Sequence, residues 1–183
     1  MKLLSDDRAL EWCRDRGIHG EGSIPRTFLR YDGGSSERIQ LRMHADAIAQ
    51  VGFAFSALLA ETPSDSDATF HGGLVWLRRW NLWSESIDAV GYRLLDGLRD
   101  AREGVPSLNE APAHLCLEED FVTAHSLLAL AVLFQWDAYY VPSSGRFLIF
   151  VSHEGTVDIL PRTAELRIEL AARFRELEPV QIE

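Results

Sequence analysis

Residues 136–160 read WDAYYVPSSGRFLIFVSHEGTVDIL, and this stretch decides the fold. Aromatic and β-branched residues fill three short runs, which is typical of strands. The runs are 137–141, 147–152 and 156–160, and turn residues separate them at 142–145 and 153–155. Because such short connections join antiparallel neighbours, the pattern predicts a three-stranded β-meander. His153 and Glu154 then lie at one of its tips.

A second group of strands is predicted in the N-terminal half. Residues 27–31 and 38–44 have the composition or the strict alternation of half-exposed strands. The dipeptide Asp32-Gly33 between them is a strong turn signal, so the two segments are predicted to form a hairpin. The preceding segment, 17–22, is interpreted as a glycine-rich link. Residues 74–83 follow two glycines and are predicted to contain a strand. The helical spacing of Trp76, Trp80 and Trp83 leaves a helix as the alternative.

Apolar residues recur at helical spacing in five other segments. The predicted helices span about 7–16, 46–60, 85–102, 119–135 and 163–177. The inward side chains are predicted to be Ile48, Val51, Phe55, Leu58 and Leu59 in the second helix, and Ile87, Val90, Leu94, Leu95 and Leu98 in the third. Strands occur in adjacent groups instead of alternating with helices, which indicates an α+β fold. We therefore expect one domain, residues 1–183, with a largely antiparallel sheet covered by about five helices.

Composition narrows the classes of partner. The formal net charge of −10 argues against nucleic-acid binding, which needs clustered Lys and Arg. It is compatible with a basic protein partner or a cationic small molecule. The longest apolar run, residues 127–134, is too short to span a bilayer, so we expect a soluble, cytoplasmic chain. The two cysteines, Cys13 and Cys116, form neither a zinc pattern nor a disulfide framework, and we predict no metal or cofactor.

The meander tip holds residue types that can carry chemistry. Ser152, His153 and Glu154 are the residues of a hydrolytic triad, but neighbours along a strand point to opposite faces and cannot form the relay among themselves. His153 remains a candidate general base or ligand-binding donor because imidazole titrates near neutral pH. The alternative is a turn histidine packed against Tyr139 or Tyr140.

A second set of binding candidates lies in the predicted strand at 74–83. Arg78 and Arg79 stand between Trp76 and Trp80, which suggests a cationic and aromatic surface for an acidic partner or a planar ligand. The alternative is a strand with one arginine exposed and its tryptophans in the core. Elsewhere, His114 and Cys116 could present a nitrogen and a sulfur ligand on one strand face, but two ligands alone recur by chance.

Several of these segments carry a family likeness. The stretches are GGLVWL at 72–77, WNLWS at 80–84, WDAYYVP at 136–142 and FVSHE at 150–154. They resemble small uncharacterised bacterial domains, some of which are similar to immunity proteins of toxin systems. The resemblance covers about the C-terminal two thirds of the chain and implies a binding protein. It carries over no catalytic residue.

These observations favour a soluble, non-enzymatic interaction module that neutralises a partner protein in the manner of an immunity protein. Its anchors would be Trp76, Arg78, Arg79 and Trp80, or the Tyr139-Tyr140 strand, and acidic residues would steer a basic partner. The alternative is a small-molecule-binding protein or an enzyme with a pocket between sheet and helices, in which His153, His44 or Glu154 acts as acid or base. A third hypothesis is a structural subunit whose apolar patch is covered by self-association.

Overall fold

The computed structural model describes residues 1–21, 28–32, 37–43, 46–62, 69–80, 85–99 and 105–175. Within these ranges the helices are α1 Asp6–Arg14, α2 Ala47–Leu58, α3 Glu85–Arg99, α4 Phe121–Leu133 and α5 Ala164–Arg175, with a 3₁₀ turn at Glu118–Asp120. The strands are β1 Lys2–Leu4, β2 Ile18–Glu21, β3 Phe28–Tyr31, β4 Ile39–Arg42, β5 Gly73–Arg79, β6 Ala113–Cys116, β7 Asp137–Pro142, β8 Phe147–Val151 and β9 Thr156–Pro161.

Seven strands form one antiparallel sheet in the order β1-β6-β5-β7-β8-β9-β4. The predicted meander is confirmed as β7, β8 and β9, with Tyr139 opposite Phe150 and Phe150 opposite Asp158. The predicted α+β class, with a mostly antiparallel sheet and five helices among the described residues, is also confirmed.

The predicted N-terminal hairpin is wrong. Strand β3 pairs with β2, in the segment interpreted as a glycine-rich link, and the two form a separate two-stranded ribbon. Strand β4 instead pairs with β9 at the edge of the large sheet. The reason is burial: Ile39 and Leu41 are almost fully buried in the main core. A strand with strictly alternating polar and apolar residues can pair with any antiparallel neighbour. The burial of these two side chains therefore decides the pairing of β4, against the local turn signal.

Side chains divide between two cores because the central strands are covered on both faces. The helix-side core contains Tyr140, Val75 and the inner faces of α2, α4 and α5. The ribbon-side core contains Trp76, Tyr139 and the inner faces of α1 and the ribbon. The last helix follows its prediction, since Leu166, Leu170 and Phe174 are buried and the Thr163 hydroxyl accepts the Leu166 amide at 3.3 Å.

The first two elements differ from the sequence prediction. Strand β1 was not predicted, since it has only three residues. Helix α1 begins at Asp6, and Ser5 is its cap, accepting the Arg8 amide through its side chain. Asp6 is the first helical residue, and its carboxylate contacts the sheet as described below.

Two helices follow their predicted inward faces only in part. Leu58 and Leu59 near the end of α2 and Leu95 in α3 are buried as predicted. In α2 the buried side chains are Gln50, Phe53, Ala54, Ala57 and Leu58. Ile48 and Phe55, predicted to be inward, are 83% and 47% exposed. In α3, Val90 and Leu94 are exposed, whereas Leu95 is buried. An apolar helix offers more than one face to a core, so periodicity alone does not select one.

Some predictions concern residues that the structure does not describe. His44, Trp83 and Leu177 lie outside the described residues, as does the side chain of Ile87. Among the helices that are described, none is both long enough and apolar enough to cross a membrane.

Gly91 permits the close approach of α3 to the core. A Cβ atom at this position would lie 2.7 Å from the Trp136 ring and 2.9 Å from Phe134, whereas a Cβ at Gly97 in the same helix would meet nothing within 4 Å. Trp136 is buried and has little room to shift. We expect Gly91→Ala to lower the free energy of unfolding by about 1–3 kcal/mol through overpacking.

The matched variant Gly97→Ala should raise the free energy of unfolding by about 0.5–1 kcal/mol, because alanine favours the helix. Urea unfolding of both variants measures the difference. Equal effects of the two substitutions would contradict the proposed packing of α3 on Trp136.

Candidate functional site

The aromatic candidates from the sequence lie in the two cores. Trp76 and Tyr140 are fully buried and Tyr139 nearly so. Tyr139 faces the ribbon, where its hydroxyl accepts the Leu29 amide at 3.3 Å. Burial raises the pKa of Tyr139 to about 12 and raises that of Tyr140 as well. Trp80 is partly buried against the helix-side core. These rings hold the fold together, and a partner cannot reach Trp76 or Tyr140 in this conformation.

Arg78 and Trp76 join α1 to the sheet through one carboxylate. Asp6 Oδ1 accepts hydrogen bonds from Trp76 Nε1 and from Arg78 Nη1, each at 2.8 Å. The Arg78 guanidinium also lies 4.3 Å from the centroid of the Trp76 ring. Burial lowers the pKa of Arg78, and the charge of Asp6 opposes that effect. For residues 74–83 the sequence left an alternative, a strand with its tryptophans in the core and one arginine exposed. Trp76 and Arg79 are placed in this way.

Arg79 and His153 meet at a residue that the sequence interpretation missed, Asp137. Its Oδ1 lies 2.7 Å from His153 Nδ1 and accepts the His153 backbone amide at 2.8 Å. Its Oδ2 lies 3.7 Å from Arg79 Nη1. The Asp137 side chain is only 8% exposed, against 31% for His153 and 44% for Arg79.

A β-bulge makes this cluster possible. The register of β5 and β7 shifts by one residue between Leu77 and Arg79, which places Arg79 directly opposite Asp137. Because a carboxylate faces Nδ1, the neutral imidazole of His153 donates from Nδ1 and keeps its lone pair on Nε2. Such an imidazole can accept a proton or a ligand hydrogen bond. Glu154 lies exposed in the adjoining turn, where its amide donates to the Ser152 hydroxyl at 3.2 Å.

One signal in the sequence could have indicated Asp137. It is a carboxylate at the first position of a run that is otherwise aromatic and apolar, and all six positions of β7 are buried. A buried carboxylate requires a hydrogen-bonding partner. The sequence could not show that this partner is sixteen residues away in the next turn.

His114 has a structural role in the described contacts. It is fully buried, and Arg99 Nη1 donates to its Nε2 at 2.8 Å. Burial and the charge of Arg99 lower the pKa of His114 to about 3, so the imidazole is neutral at pH 7. Burial raises the pKa of the Cys116 thiol to about 12. In the described part of the chain, no three His, Cys, Asp or Glu side chains are grouped so that they could hold a metal ion.

The outer surfaces of α2 and α4 form a different kind of site, which we call the outer helical face. It comprises Ile48, Val51, Phe55, Phe121, Val122 and His125. Ile48, Val51 and Phe55 are spaced along one stripe of α2. Ile48 is 83% exposed, Phe55 47% and Val122 74%. These are large fractions for apolar side chains on neighbouring helices.

Direct contacts make the outer helical face continuous. The Phe55 ring packs edge-on against Phe121, with centroids 5.5 Å apart, and against His125 at 5.9 Å. Phe121 and His125 are stacked at 6.2 Å. His125 Nε2 lies 3.2 Å from the Val51 carbonyl oxygen, which fixes Nε2 as the protonated nitrogen. The order of these contacts shows that α2 and α4 run antiparallel.

Charge surrounds this face but is absent from it. Neither 47–58 nor 121–133 contains an acidic residue, a lysine or an arginine. Asp46 caps α2 by accepting the Ile48 amide at 2.9 Å. Glu118 and Glu119 precede α4, and Glu118 is 70% exposed. Because the helices are antiparallel, carboxylates stand at both ends of the apolar stripe.

A cleft lies on the opposite side of the sheet. It has a volume of about 510 Å³ and is lined by Phe28, Leu29, Arg30, Tyr31, Glu37, Arg38, Tyr139, Phe150, Asp158 and Leu160. Its floor is formed by β7, β8 and β9, and the ribbon strand β3 is one wall. Tyr139 and Phe150 pack together on the floor with ring centroids 4.8 Å apart.

Comparison with known proteins adds no further constraint. No protein-family model matches the chain, and neither a curated protein nor a solved structure matches it. The resemblance to immunity proteins therefore depends on the sequence segments quoted above.

The contact of Asp6 with Arg78 and Trp76 leads to a stability prediction. Asp6→Ala leaves a buried guanidinium without its counter-charge. We expect a loss of about 3 kcal/mol in unfolding free energy, the lower end of the range for buried pairs, because the Asp6 side chain is 23% exposed. Asp7→Ala, which removes an exposed carboxylate from the same helical turn, should cost less than about 1 kcal/mol. The losses are measured by urea unfolding. If the two variants lose similar amounts of unfolding free energy, the contact of Asp6 with Arg78 and Trp76 does not stabilise the fold.

His114 leads to a prediction about pH. Its pKa is lower in the folded chain than in the unfolded chain, so the unfolded state binds more protons between pH 6.5 and about 3. The part of the unfolding free energy that depends on a neutral His114 is fully present above pH 6.5 and is lost as the pH falls. Between these pH values the free energy of unfolding changes by up to about 1.4 kcal/mol per pH unit. His114→Gln, which keeps an acceptor for Arg99, should unfold with a shallower pH dependence. Equilibrium unfolding at pH 7 and 4.5 tests this, and parallel curves for the two proteins would contradict it.

Proposed function

We propose that this protein is an interaction module that binds a partner protein through the outer helical face. One observation carries the proposal: α2 is apolar on two faces, and the described part of the chain covers only one of them. The covered face packs Phe53, Ala54 and Leu58 into the helix-side core, whereas Ile48 and Phe55 stay exposed. A helix that is apolar all round is ordinarily buried all round, so a second protein is the expected cover.

The arrangement of the face supports binding by an aromatic anchor. Phe55 is flanked by Phe121 and His125, and these contacts restrict its ring before a partner arrives. Aromatic residues at the centre of an apolar patch supply most of the affinity in protein interfaces. The anchors expected in β5 and β7 are replaced by Phe55 in this proposal, because Trp76 and Tyr140 are buried.

Charge determines which occupant we favour. The chain carries a formal net charge of −10, and Asp46 and Glu118 border the apolar stripe. A partner with a basic rim around an apolar patch would be attracted to both ends, whereas a second copy would bring carboxylates against carboxylates. The finer hypothesis, taken from the resemblance, is that binding neutralises this partner as an immunity protein does.

The test compares three exposed apolar residues. Ile48→Asp and Val122→Asp place a charge on the outer helical face, and Ile168→Asp places the same charge on α5, where Ile168 is 70% exposed. A protein that co-purifies stoichiometrically with the tagged chain is titrated against each variant. We expect both face variants to weaken its binding at least about tenfold, equivalent to 1.4 kcal/mol, and Ile168→Asp to bind like the unmodified chain.

Three results would contradict the proposal. The first is a chain that captures no protein from its native lysate. The second is a partner whose affinity is the same for Ile48→Asp and the unmodified chain. The third is a concentration-dependent dimer, measured by sedimentation, that Ile48→Asp dissociates; this result would make the face a self-association surface.

One observation favours a second function, that of a small-molecule-binding protein or an enzyme. Asp137 Oδ1 lies 2.7 Å from His153 Nδ1. A neutral imidazole held in this way keeps its lone pair on Nε2, which is the arrangement of a general base or a ligand acceptor. A metabolite that co-purifies with the chain in place of a protein, and that His153→Ala releases, would shift the assignment to this site.

A further inference from the structure

Among the described residues, the ribbon strand β3 has one backbone edge that pairs with no other strand. The Asp32 amide bonds to the Gly17 carbonyl at 3.0 Å, which identifies these two residues as a hydrogen-bonded pair of the ribbon register. Hydrogen-bonded and non-hydrogen-bonded pairs alternate in an antiparallel ribbon. The amides and carbonyls of Leu29 and Tyr31 therefore point away from β2.

This edge lies along the cleft. Leu29 and Tyr31 are both lining residues, and the Leu29 amide is satisfied by the Tyr139 hydroxyl at 3.3 Å. Within the described chain, no hydrogen bond accounts for the Leu29 carbonyl or for the amide and carbonyl of Tyr31. An open strand edge of this kind is a template for another strand.

The floor beside the edge is a part of the sheet that the ribbon leaves uncovered. Alternate residues of β8 and β9, namely Phe150, Asp158 and Leu160, face the ribbon side and remain partly exposed. Their neighbours Ile149, Val157 and Ile159 are buried among the helices. The ribbon and α1 thus cover the β5 and β7 part of this face, and their cover stops before the β9 edge.

We propose that the cleft binds an extended peptide segment, which adds a third strand to the ribbon at the free edge of β3. A strand placed there would pair with the Leu29 carbonyl and with the amide and carbonyl of Tyr31, and it would lay every second side chain over Phe150 and Leu160. This surface lies on the opposite side of the sheet from the outer helical face, so the inference is independent of the proposed function.

The cleft specifies the chemistry of this peptide. Its charged residues are already paired: Arg38 with Asp158 at 3.4 Å, Glu37 with Arg167 at 3.3 Å and Arg30 with Glu21 at 3.3 Å. The floor offers aromatic and aliphatic surface. An uncharged segment with β-branched or aromatic residues at alternate positions fits both features, since the main chain supplies the pairing and alternate side chains supply the selectivity.

Panning a phage-displayed library of random linear decapeptides on the full chain tests the proposal. Enriched peptides are synthesised and titrated by calorimetry against the chain and against Phe28→Ala. Phe28 lines the cleft and is 56% exposed, so its removal does not threaten folding. Phe55→Ala, on the outer helical face, is the matched control. We expect Phe28→Ala to weaken binding at least about fivefold and Phe55→Ala to leave it unchanged.

N-methylation of the peptide separates strand addition from other modes of binding. A methyl group on an amide that faces β3 removes a donor and blocks the approach of the strand. Methylation of successive residues should therefore weaken binding more than about tenfold at every second position and little at the positions between.

The proposal is overturned if panning enriches no peptide, if methylation has no two-residue period, or if Phe55→Ala weakens binding as much as Phe28→Ala. Ile48→Asp should leave peptide affinity unchanged even where it abolishes partner binding. Failure of the proposed function and failure of this inference therefore give different results.

Discussion

The architecture depends on the burial of β7 from both sides. All six of its positions are buried, and a strand alternates its side chains between two faces. Tyr140 and Ala138 therefore need a cover of helices, and Tyr139 and Val141 need a second cover on the other face. The helices supply the first cover, and α1 with the ribbon supplies the second. Strand β7 thus requires a layer on each face of the sheet.

Polar contacts in the interior hold these layers in place. Asp6 joins α1 to Trp76 and Arg78, which are 70 and 72 residues away along the chain. The Tyr139 hydroxyl holds the ribbon at Leu29, and Arg99 ties the end of α3 to His114 on β6. Buried polar groups are costly unless they are hydrogen-bonded. Each of these contacts therefore favours one relative position of two elements, which apolar packing alone defines less sharply.

The predictable part of the fold is the part that local sequence encodes. The meander and α5 have alternation, turn residues or a cap within a few residues of one another. The partner of β4 is not local: Ile39 and Leu41 alternate as a strand must, but only the completed core selects β9 over β3. The same limit applies to the candidate site. His153 and Arg79 were recognisable as residue types, but the shared carboxylate of Asp137 depends on a bulge in the pairing of β5 with β7.

The misjudged face of α2 has a physical meaning beyond the prediction itself. Ile48, Val51 and Phe55 have the spacing of a core-facing stripe. Val51 packs partly against the helix-side core, but the fold leaves Ile48 and Phe55 exposed. An exposed Ile48 contributes little to the stability of the isolated chain, because its apolar surface stays in water. Phe55 differs, since Phe121 and His125 already restrict its ring, and a restricted side chain loses less entropy on binding. The stripe thus combines apolar area that folding leaves unused with an anchor that is ordered in advance, and both properties favour association over folding as its role.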